Sequence, residues 1–419
     1  MVKYSCEQCG KEFSQKSHYD SHNRRKTPCE NNSDKIKSLV DKAVEEKLKE
    51  LNKELIVKNE EVIVNTDTME HQPKKIKIKK KNLKNVDNKF KFIDLFAGTG
   101  AFTLALEKSN NFKCVFTNDM MECSKKIYEL NNPTHTFTLK DLNTINVSDI
   151  PSHNLLCGGF PCQPFSIAGE KKGFDDKRSN VFWKIVEILE KHNPEIIILE
   201  NVKNLKSHDK GNTYKIIEKQ LQEIGYHIKT AILDTNKITN IPQHRERIYI
   251  IGFRDKEKYD KFNFEFPEQE QWKICDMLEE SVDDKYYYSD RFKVFDEIEK
   301  GITKHISENV LYQYRRFYVR ENKSNCCPTL TANMGGGGHN VPLLKDDKGI
   351  RKLTPRECFN LQGFPKDYKL PDICDSALYK LAGNAVSVPV VDLVVNKLKE
   401  KTNHFFYITP DTGKMDMIA

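Results

Sequence analysis

The sequence of 419 residues predicts an α/β protein, in which a doubly wound sheet forms the body and a smaller domain is inserted late in the chain. Two observations predict the body. Short apolar runs recur from residue 90 onwards, and each ends in a glycine, an acid or an amide, as parallel strands do at a ligand-binding sheet edge. The first run leads directly into a glycine-rich turn. A third observation, two cysteines followed by a histidine near the N terminus, adds a small ββα unit.

The composition excludes several classes of protein. Hydrophobic residues make up 38% of the chain and charged residues 31%, and we expect no membrane-spanning segment because no apolar run is long enough. The N terminus is polar and lacks the features of a secretory signal. Twelve cysteines in such a chain predict reduced thiols, metal ligands or a nucleophile in an intracellular protein, rather than a disulfide scaffold.

The positive charge is concentrated at the N terminus. The chain has 68 Lys and Arg residues against 61 Asp and Glu, a net charge of +7, and residues 1–91 alone hold 22 basic and 15 acidic residues. The rest of the chain is therefore balanced. A basic arm on a neutral body indicates a polyanionic partner, most plausibly nucleic acid.

Residues 1–30 have the spacing of a single ββα zinc finger. Twelve residues separate the second cysteine from the histidine, and thiolates with an imidazole suit tetrahedral zinc. A cysteine replaces the usual second histidine, with His18 as the competing ligand. A single finger is consistent with base reading and with protein docking alike. The predicted zinc ligands are Cys6, Cys9, His22 and Cys29.

Residues 31–89 predict a linker. Apolar residues recur at helical spacing over 34–55, which favours a solvated amphipathic spacer in a monomer, with a short pairing coiled coil as the alternative. The lysine cluster at 74–81 is typical of a nuclear-import signal or a phosphate-binding tether, and equally of a solubilising linker. The first interpretation predicts a nuclear or viral-factory location, and the others leave the cytoplasm open.

Residues 90–255 predict the first part of a catalytic domain with a nucleoside cofactor. Gly98 and Gly100 follow the first apolar strand and let the backbone approach a ligand. Asp119, about twenty positions further on, ends the next strand, where an acid is placed to bind ribose hydroxyls. Asp141 is a third acid at a strand end. Because no Gly-Lys-Ser/Thr phosphate cradle is present, S-adenosylmethionine fits better than a dinucleotide.

A cysteine and a glutamate indicate covalent chemistry. Cys162 lies between Pro161 and Pro164 after two glycines, so its thiol is presented on a stiff loop at a strand end. A buried structural cysteine rarely has such neighbours, and cysteine has appreciable thiolate near neutral pH. Glu200 ends the apolar strand 195–199, where a charged group is expected to be functional.

Five motifs occur in one fixed order: the run that begins at Asp94, the Pro161-Cys162-Gln163 loop, Glu200-Asn201-Val202, Gln243-x-Arg245-x-Arg247 and Gly383-Asn384. Together they resemble the DNA (cytosine-5) methyltransferases. The resemblance covers Phe92 to about Lys399. It implies a Rossmann-like fold dependent on adenosylmethionine and double-stranded DNA as the substrate, with the target cytosine flipped out of the helix.

The resemblance also implies catalytic roles. Cys162 would add to carbon 6 of cytosine so that carbon 5 can accept the methyl group, and Glu200 would hydrogen-bond and protonate ring nitrogen 3. Arg247 would reach the base carbonyl oxygen, while Arg245 would help to hold the site and the nearby phosphate.

For the cofactor, the resemblance implies that Phe96 stacks on adenine, Asp119 binds the ribose and Asp141 contacts the adenine amino group. Small departures from the family, such as Ala385 where serine is common, leave this expectation intact. The full predicted cofactor set is Phe96, Gly98, Gly100, Asp119, Asp141, Pro161, Asn384 and Val386.

The family places its target-recognition region at 256–350, followed here by the C-terminal part of the catalytic domain, 351–400, and a tail, 401–419. The glycine-rich stretch 328–340 predicts backbone contact with DNA, with a mobile hairpin as the alternative. We expect a last helix at about 375–399 that packs beside the first strand. The recognised DNA sequence cannot be derived from the chain.

Two alternative functions remain open at this point. A tRNA cytosine-5 methyltransferase is disfavoured because its relatives tend to have Pro-Pro-Cys-Gln where this chain has Phe160-Pro161-Cys162-Gln163. A catalytically inactive DNA-binding regulator would be expected to lack Cys162 or Glu200, and both are present.

Overall fold

The structure is a computed structural model that describes residues 89–161, 181–315, 317–336 and 340–400, together with Asp20 and two short N-terminal strands. The chain divides into two compact units, Met1–Lys84 and Asn85–Ala419.

The N-terminal unit contains one antiparallel strand pair. Strand β1 (Tyr4–Ser5) pairs with β2 (Glu12–Phe13), and Tyr4 lies opposite Phe13. The zinc ligands predicted from the sequence, the amphipathic stretch 34–55 and the lysine cluster at 74–81 all lie outside the described residues.

The second unit is built on a seven-stranded sheet in the order β5-β4-β3-β6-β7-β9-β8. The first five strands in this order are parallel, while β9 runs antiparallel to both of its neighbours. The predicted α/β fold with a large parallel sheet is therefore confirmed. The strands are β3 (Phe90–Leu95), β4 (Phe112–Asp119), β5 (Phe137–Leu139), β6 (Leu155–Gly159), β7 (Ile196–Val202), β8 (His227–Asp234) and β9 (Glu246–Phe253).

Helices cover both faces of this sheet. Side chains of a strand alternate between its faces: Phe90 and Phe92 belong to one hydrophobic core and Ile93 and Leu95 to the other. This explains why the central strands β6 and β7 are almost entirely apolar rather than alternating in polarity. The helices of this part are α1 (Ala101–Glu107), α2 (Glu122–Asn131), α3 (Val181–His192), α4 (Asn212–Glu223), α5 (Thr235–Ile238) and α6 (Lys256–Lys261).

The strand order reverses at β3. The chain builds outward to β4 and β5 on one side of β3, and to β6 and β7 on the other. The connections that leave β3 and β6 therefore diverge, which opens a crevice at the carboxyl ends of these two strands.

The inserted part of the chain forms a second sheet, in the order β11-β10-β12-β13, around a small core of its own. The predicted target-recognition region, 256–350, contains this sheet except for the last two residues of β13. Its elements are α7 (Phe295–Gly301), β10 (Tyr312–Arg315), β11 (Tyr318–Glu321), β12 (Leu343–Lys345) and β13 (Ile350–Lys352).

The C-terminal part contains α8 (Pro355–Asn360), α9 (Asp375–Asn384) and α10 (Val388–Glu400). The sequence predicted a single last helix at about 375–399. This prediction was wrong, because the chain becomes extended at Ala385, with φ −58° and ψ 144°. Helix α10 shares a core with β3 and lies beside α1, where Lys108 Nζ is 2.7 Å from Asp392 Oδ2.

The stretch Asp375–Glu400 is long and apolar enough to cross a membrane by length and composition. However, 72% of its most apolar window is buried inside the fold, and its valines and leucines belong to the core beside β3. The apolar character of this stretch is accounted for by packing within the domain.

Candidate active site

A cavity of about 430 Å³ lies at the carboxyl ends of β3 and β6. A slightly larger cavity, about 480 Å³, lies beside α10 and contains none of the predicted site residues, so the chemistry of the lining groups selects the first. The predicted site residues that line it are Phe96, Gly98, Asp119, Pro161, Glu200, Arg245, Arg247, Asn384 and Val386.

The glycine-rich loop, residues 96–100, forms one end of the cavity. Gly98 and Gly100 have φ values of 54° and 71°, in the left-handed region that favours glycine. Phe96 has φ 56°, a conformation that is uncommon for a bulky residue and is concentrated at functional sites.

Asp119 is joined to this loop by its side chain. Its Oδ2 accepts a 3.0 Å hydrogen bond from Gly98 N–H, and its Oδ1 accepts one of 2.9 Å from Met121 N–H. Burial raises the pKa of Asp119, while the backbone donors oppose this shift. The side chain lines the cavity, where a carboxylate can accept hydrogen bonds from a ligand.

Two predicted cofactor residues lie outside the cavity lining. Gly100 caps α1 and faces Tyr128, away from the cavity. Asp141 is exposed and accepts a 3.0 Å hydrogen bond from Asn143 N–H, which caps a short helical turn. The backbone connects Asp141 to the site, because Lys140 N–H donates to Asp119 O at 3.1 Å.

An acid and a guanidinium lie side by side at the other end of the cavity. Arg247 Nε is 3.2 Å from Glu200 Oε1. Glu200 is only 7% exposed. Burial raises its pKa, against the opposing charges of Arg247 and Arg245. A carboxyl group and a guanidinium in this arrangement can hydrogen-bond to neighbouring atoms on the edge of a planar base.

Arg245 is held inside the protein. It is 2% exposed, and its two Nη groups donate to three backbone carbonyls, with distances of 2.9 Å to Leu330, 3.2 Å to Gly383 and 2.6 Å to Ala385. It therefore joins the inserted part to the C-terminal part at the cavity. The contact with a nearby phosphate expected of Arg245 stays a prediction.

We expect Arg245→Lys and Arg247→Lys to have opposite profiles. Arg245→Lys leaves buried carbonyls without donors and should lower the free energy of unfolding by about 3 kcal/mol. Arg247→Lys should preserve stability but reduce kcat/KM, because lysine does not reproduce the planar donor group. Urea denaturation and steady-state kinetics on both variants check this. Equal losses of stability would refute the division of roles.

Similarity to known proteins agrees with this geometry. The model of the family described as C-5 cytosine-specific DNA methylase matches residues 90–400. The chain belongs to this family. The reaction of such a methylase is the transfer of a methyl group from S-adenosylmethionine to carbon 5 of cytosine in DNA.

Two of the most similar relatives of this methylase come from bacteria. Type II methyltransferase M.Bsp6I of Bacillus sp. (strain RFL6) is 46% identical over 308 residues, which is 73% of this chain and 96% of the relative. Type II methyltransferase M.HpaII of Haemophilus parainfluenzae is 36% identical over 345 residues, 77% of this chain and 92% of the relative. The S. pombe Dnmt2 methyltransferase structure has TM-score 0.59 and 23% identity and covers 75% of this chain and 100% of its own, which shows the shared fold.

The predicted nucleophile of the methylase, Cys162, lies outside the described residues, which resume at residue 181. The chain is described up to Pro161, which lines the cavity. Gly159 is needed at this strand end, since a Cβ there would be 3.3 Å from Glu200 Oε2 and equally close to Val386.

Two buried amides support the methylase site, and the sequence interpretation assigned neither a role. Asn201 Nδ2 donates to Phe160 O at 2.8 Å and so holds the residue just before Pro161. Gln243, fully buried, donates to Leu361 O at 2.6 Å and accepts from Leu330 N–H at 3.2 Å. Both roles could have been inferred from the sequence, because each amide follows an apolar run and lies close to a charged residue of a motif.

The first half of the glycine-rich stretch 328–340 packs against the body of the methylase. Leu330 and Met334 are each 1% exposed. A Cβ on Gly383 would be 2.2 Å from Thr331 O, so the two backbones are in direct contact. Thr331 and Asn333 between these buried residues are exposed, so the DNA contact expected of this stretch stays a prediction, and 337–339 lie outside the described residues.

The loop end of the cavity fits an adenosyl group. It combines the aromatic ring of Phe96 with the carboxylate of Asp119. Among the described lining residues, the cations are Arg245 and Arg247, and neither belongs to the glycine loop or to the segment that begins at Asp119. A nucleoside without phosphate suits these residues.

Within the described part of the chain, no group of three or more His, Cys, Asp or Glu side chains could hold a metal ion. The predicted zinc ligands are all outside that part.

Proposed function

We propose that this methylase flips cytosine out of double-stranded DNA and activates it through Cys162, Glu200 and Arg247. The observation that carries the proposal is the pair of Glu200 and Arg247, 3.2 Å apart, in the same cavity as the glycine loop and Asp119. One end of the cavity suits a nucleoside and the other suits the edge of a base.

The chemistry requires activation because carbon 5 of cytosine is a weak nucleophile. The Cys162 thiolate forms a bond to carbon 6, while Glu200 gives a proton to ring nitrogen 3, so the ring becomes an enamine with a nucleophilic carbon 5. Arg247 donates to the carbonyl oxygen at carbon 2. A base inside the helix cannot reach these groups, so it must leave the stack.

S-adenosylmethionine supplies a methyl group on a positively charged sulfur when it is bound. After carbon 5 has accepted the methyl group, a water molecule takes the proton from carbon 5. The electrons of that C–H bond form the carbon 5–carbon 6 double bond as the bond from carbon 6 to Cys162 Sγ breaks and releases the thiolate. Glu200 returns to its starting protonation state as the aromatic ring is restored. The raised pKa of Glu200 supports its role as the acid, because a raised pKa keeps more of the protonated form near neutral pH.

For the cofactor, we propose that Phe96 stacks on adenine and that Asp119 accepts from the ribose hydroxyls. Val386 and Asn384 border the cofactor from the C-terminal part, and Pro161 borders it from the nucleophile loop. All five line the cavity. Asp141 would reach the adenine amino group only if its side chain leaves Asn143 N–H, its present donor.

The decisive test is base-resolution mapping of methylated positions in random-sequence DNA after incubation with adenosylmethionine, with tRNA as a parallel substrate. We expect 5-methylcytosine in DNA within a fixed sequence context. Modification of tRNA alone would favour the tRNA enzyme. An absence of methylation, together with no covalent adduct on DNA that contains 5-fluorocytosine, would favour an inactive regulator.

For the basic N-terminal arm, residues 1–89, we propose a zinc finger with ligands Cys6, Cys9, His22 and Cys29. We propose that the lysine cluster at 74–81 is a phosphate-binding tether. The antiparallel pairing of β1 with β2 supports the zinc finger, because the two cysteines of the first ligand pair fall between these strands in the sequence. The Bacillus and Haemophilus relatives lend no support to a nuclear role for the lysine cluster at 74–81.

Removal of residues 1–89 should weaken DNA binding and flatten its dependence on salt, because the positive excess of the chain lies in this arm. The rate of methyl transfer at saturating DNA should be unchanged. Fluorescence anisotropy from 50 to 300 mM salt, roughly, measures the slope. An unchanged slope in the truncated protein would show that the arm serves a protein partner or localisation instead.

A further inference from the structure

Beneath the glycine loop lies a chain of hydrogen bonds that the proposed reaction does not use. Asp94, in β3, is fully buried and accepts from the Thr103 hydroxyl at 2.9 Å. Thr103 Oγ1 is 3.0 Å from the Tyr128 hydroxyl, which in turn is 3.1 Å from His135 Nδ1. His135 Nε2 ends the chain 3.3 Å from Glu107 Oε2.

Thr103 has one hydroxyl proton and donates it to Asp94, so its oxygen is left to accept from Tyr128. The Tyr128 hydroxyl is also 4.0 Å from Cys114 Sγ. The chain has an acidic side chain at each end, Asp94 and Glu107. Hydrogen bonds from His135 and Cys114 hold the pKa of Glu107 below its usual value although burial opposes them.

Tyr128 is the member of this chain that meets the glycine loop. Its side chain is fully buried and belongs to an apolar cluster with Ala97 and Phe137. A Cβ on Gly100 would be 3.0 Å from two carbons of the Tyr128 ring. The ring therefore contacts the loop on both sides of Gly98, the residue whose N–H binds Asp119.

We propose that Tyr128 is a positioning residue for cofactor binding: its hydroxyl, fixed through Thr103 and Asp94, holds the ring against Ala97 and Gly100 and so sets the geometry of the loop. Tyr128 does not line the cavity and acts through the loop. The inference rests on the proposed cofactor site at the glycine loop and Asp119.

The test compares Tyr128→Phe with Tyr226→Phe. Tyr226 is a matched control, because it is 2% exposed and its hydroxyl donates one hydrogen bond, 2.7 Å long, to Pro194 O. Pro194 lies just before β7, so this hydrogen bond is at the amino end of that strand, whereas the cavity lies at the carboxyl ends of the parallel strands. Both variants remove one buried hydroxyl and retain the ring.

Calorimetric titration with S-adenosylhomocysteine measures the effect without turnover. We expect Tyr128→Phe to raise the Kd about five- to tenfold, the usual consequence of losing one intramolecular hydrogen bond that supports a site. The KM for adenosylmethionine should rise in parallel, while kcat and the KM for DNA change little. Tyr226→Phe should bind the cofactor as the natural protein does, although both variants lower the melting temperature.

Thr103→Val provides a second route to the same answer if Tyr128→Phe folds poorly. Valine has the shape of threonine but cannot bond to Asp94 or Tyr128. We expect it to weaken cofactor binding at least as much, and we expect little additional loss in the double variant, because both changes break one chain.

The outcomes are distinguishable. If the natural protein does not bind S-adenosylhomocysteine, the proposed cofactor site itself is wrong. If the natural protein binds it and Tyr128→Phe and Thr103→Val behave like Tyr226→Phe, the cofactor site stands and the positioning role of Tyr128 is wrong.

Discussion

Cys162→Ser is expected to lower methyl transfer by at least about a thousandfold, because a serine hydroxyl at neutral pH is a far weaker nucleophile than a thiolate. The variant should also lose the covalent adduct with DNA that contains 5-fluorocytosine. It should still bind S-adenosylhomocysteine, since the described cofactor groups are the glycine loop, Asp119 and the C-terminal segment. Radiolabelled methyl incorporation and denaturing gels measure the two losses.

Two exposed cysteines serve as controls for this prediction. Cys275 and Cys374 are exposed and free, and neither lines the cavity. Serine at either position should leave the rate of methylation and the yield of adduct unchanged. An adduct that persists in Cys162→Ser and disappears in one of these controls would transfer the nucleophile assignment to that residue.

Glu200→Gln is expected to lower kcat by about a hundredfold to a thousandfold, the usual contribution of a positioned acid. Glutamine retains the shape and can hydrogen-bond to the ring, but it cannot deliver a proton to nitrogen 3. Glu195→Gln is the matched control. Glu195 lies just before the first residue of β7, away from the cavity, and its Oε2 is 2.9 Å from Lys258 Nζ. A similar loss in both variants would contradict the catalytic role.

The pH profile gives an independent test of the same residue. Burial raises the pKa of Glu200 above the ordinary value of 4.5. Because the acid is active when protonated, the rate should fall as the pH rises through this raised pKa. In Glu200→Gln that limb of the profile should vanish, and the remaining rate should vary little over the same range. If the rate of Glu200→Gln still falls over the same pH range, the ionisation of a different group causes the fall.

The residues that the sequence predicted best are those whose role follows from local chain geometry. Arg247 lies in β9 and Arg245 lies just before this strand, and both line the cavity. Positive φ at Gly98 and Gly100 follows from the tight turn between β3 and α1. A carboxylate at the end of β4 meets that turn because the adjacent strands β3 and β4 are parallel.

The features that the sequence did not predict depend on burial and on distant partners. Arg245 and Arg247 both line the cavity, yet Arg245 is enclosed by carbonyls contributed by Leu330, Gly383 and Ala385. Leu330 and Met334 are buried, and the backbone between them packs where Gly383 leaves space for it. The last helix is interrupted at Ala385, beside the carbonyls that Arg245 binds.

The sequence by itself determined the class of fold, the order of the motifs and the type of chemistry, because strand periodicity, turn residues and reactive side chains are properties of short segments. Only the tertiary structure decided which charged groups face the cavity and which hold it together. One series of hydrogen bonds joins residues on different elements, from Asp94 through Thr103 and Tyr128 to His135 and Glu107. Such contacts depend on how strands and helices pack in three dimensions, and no local pattern encodes them.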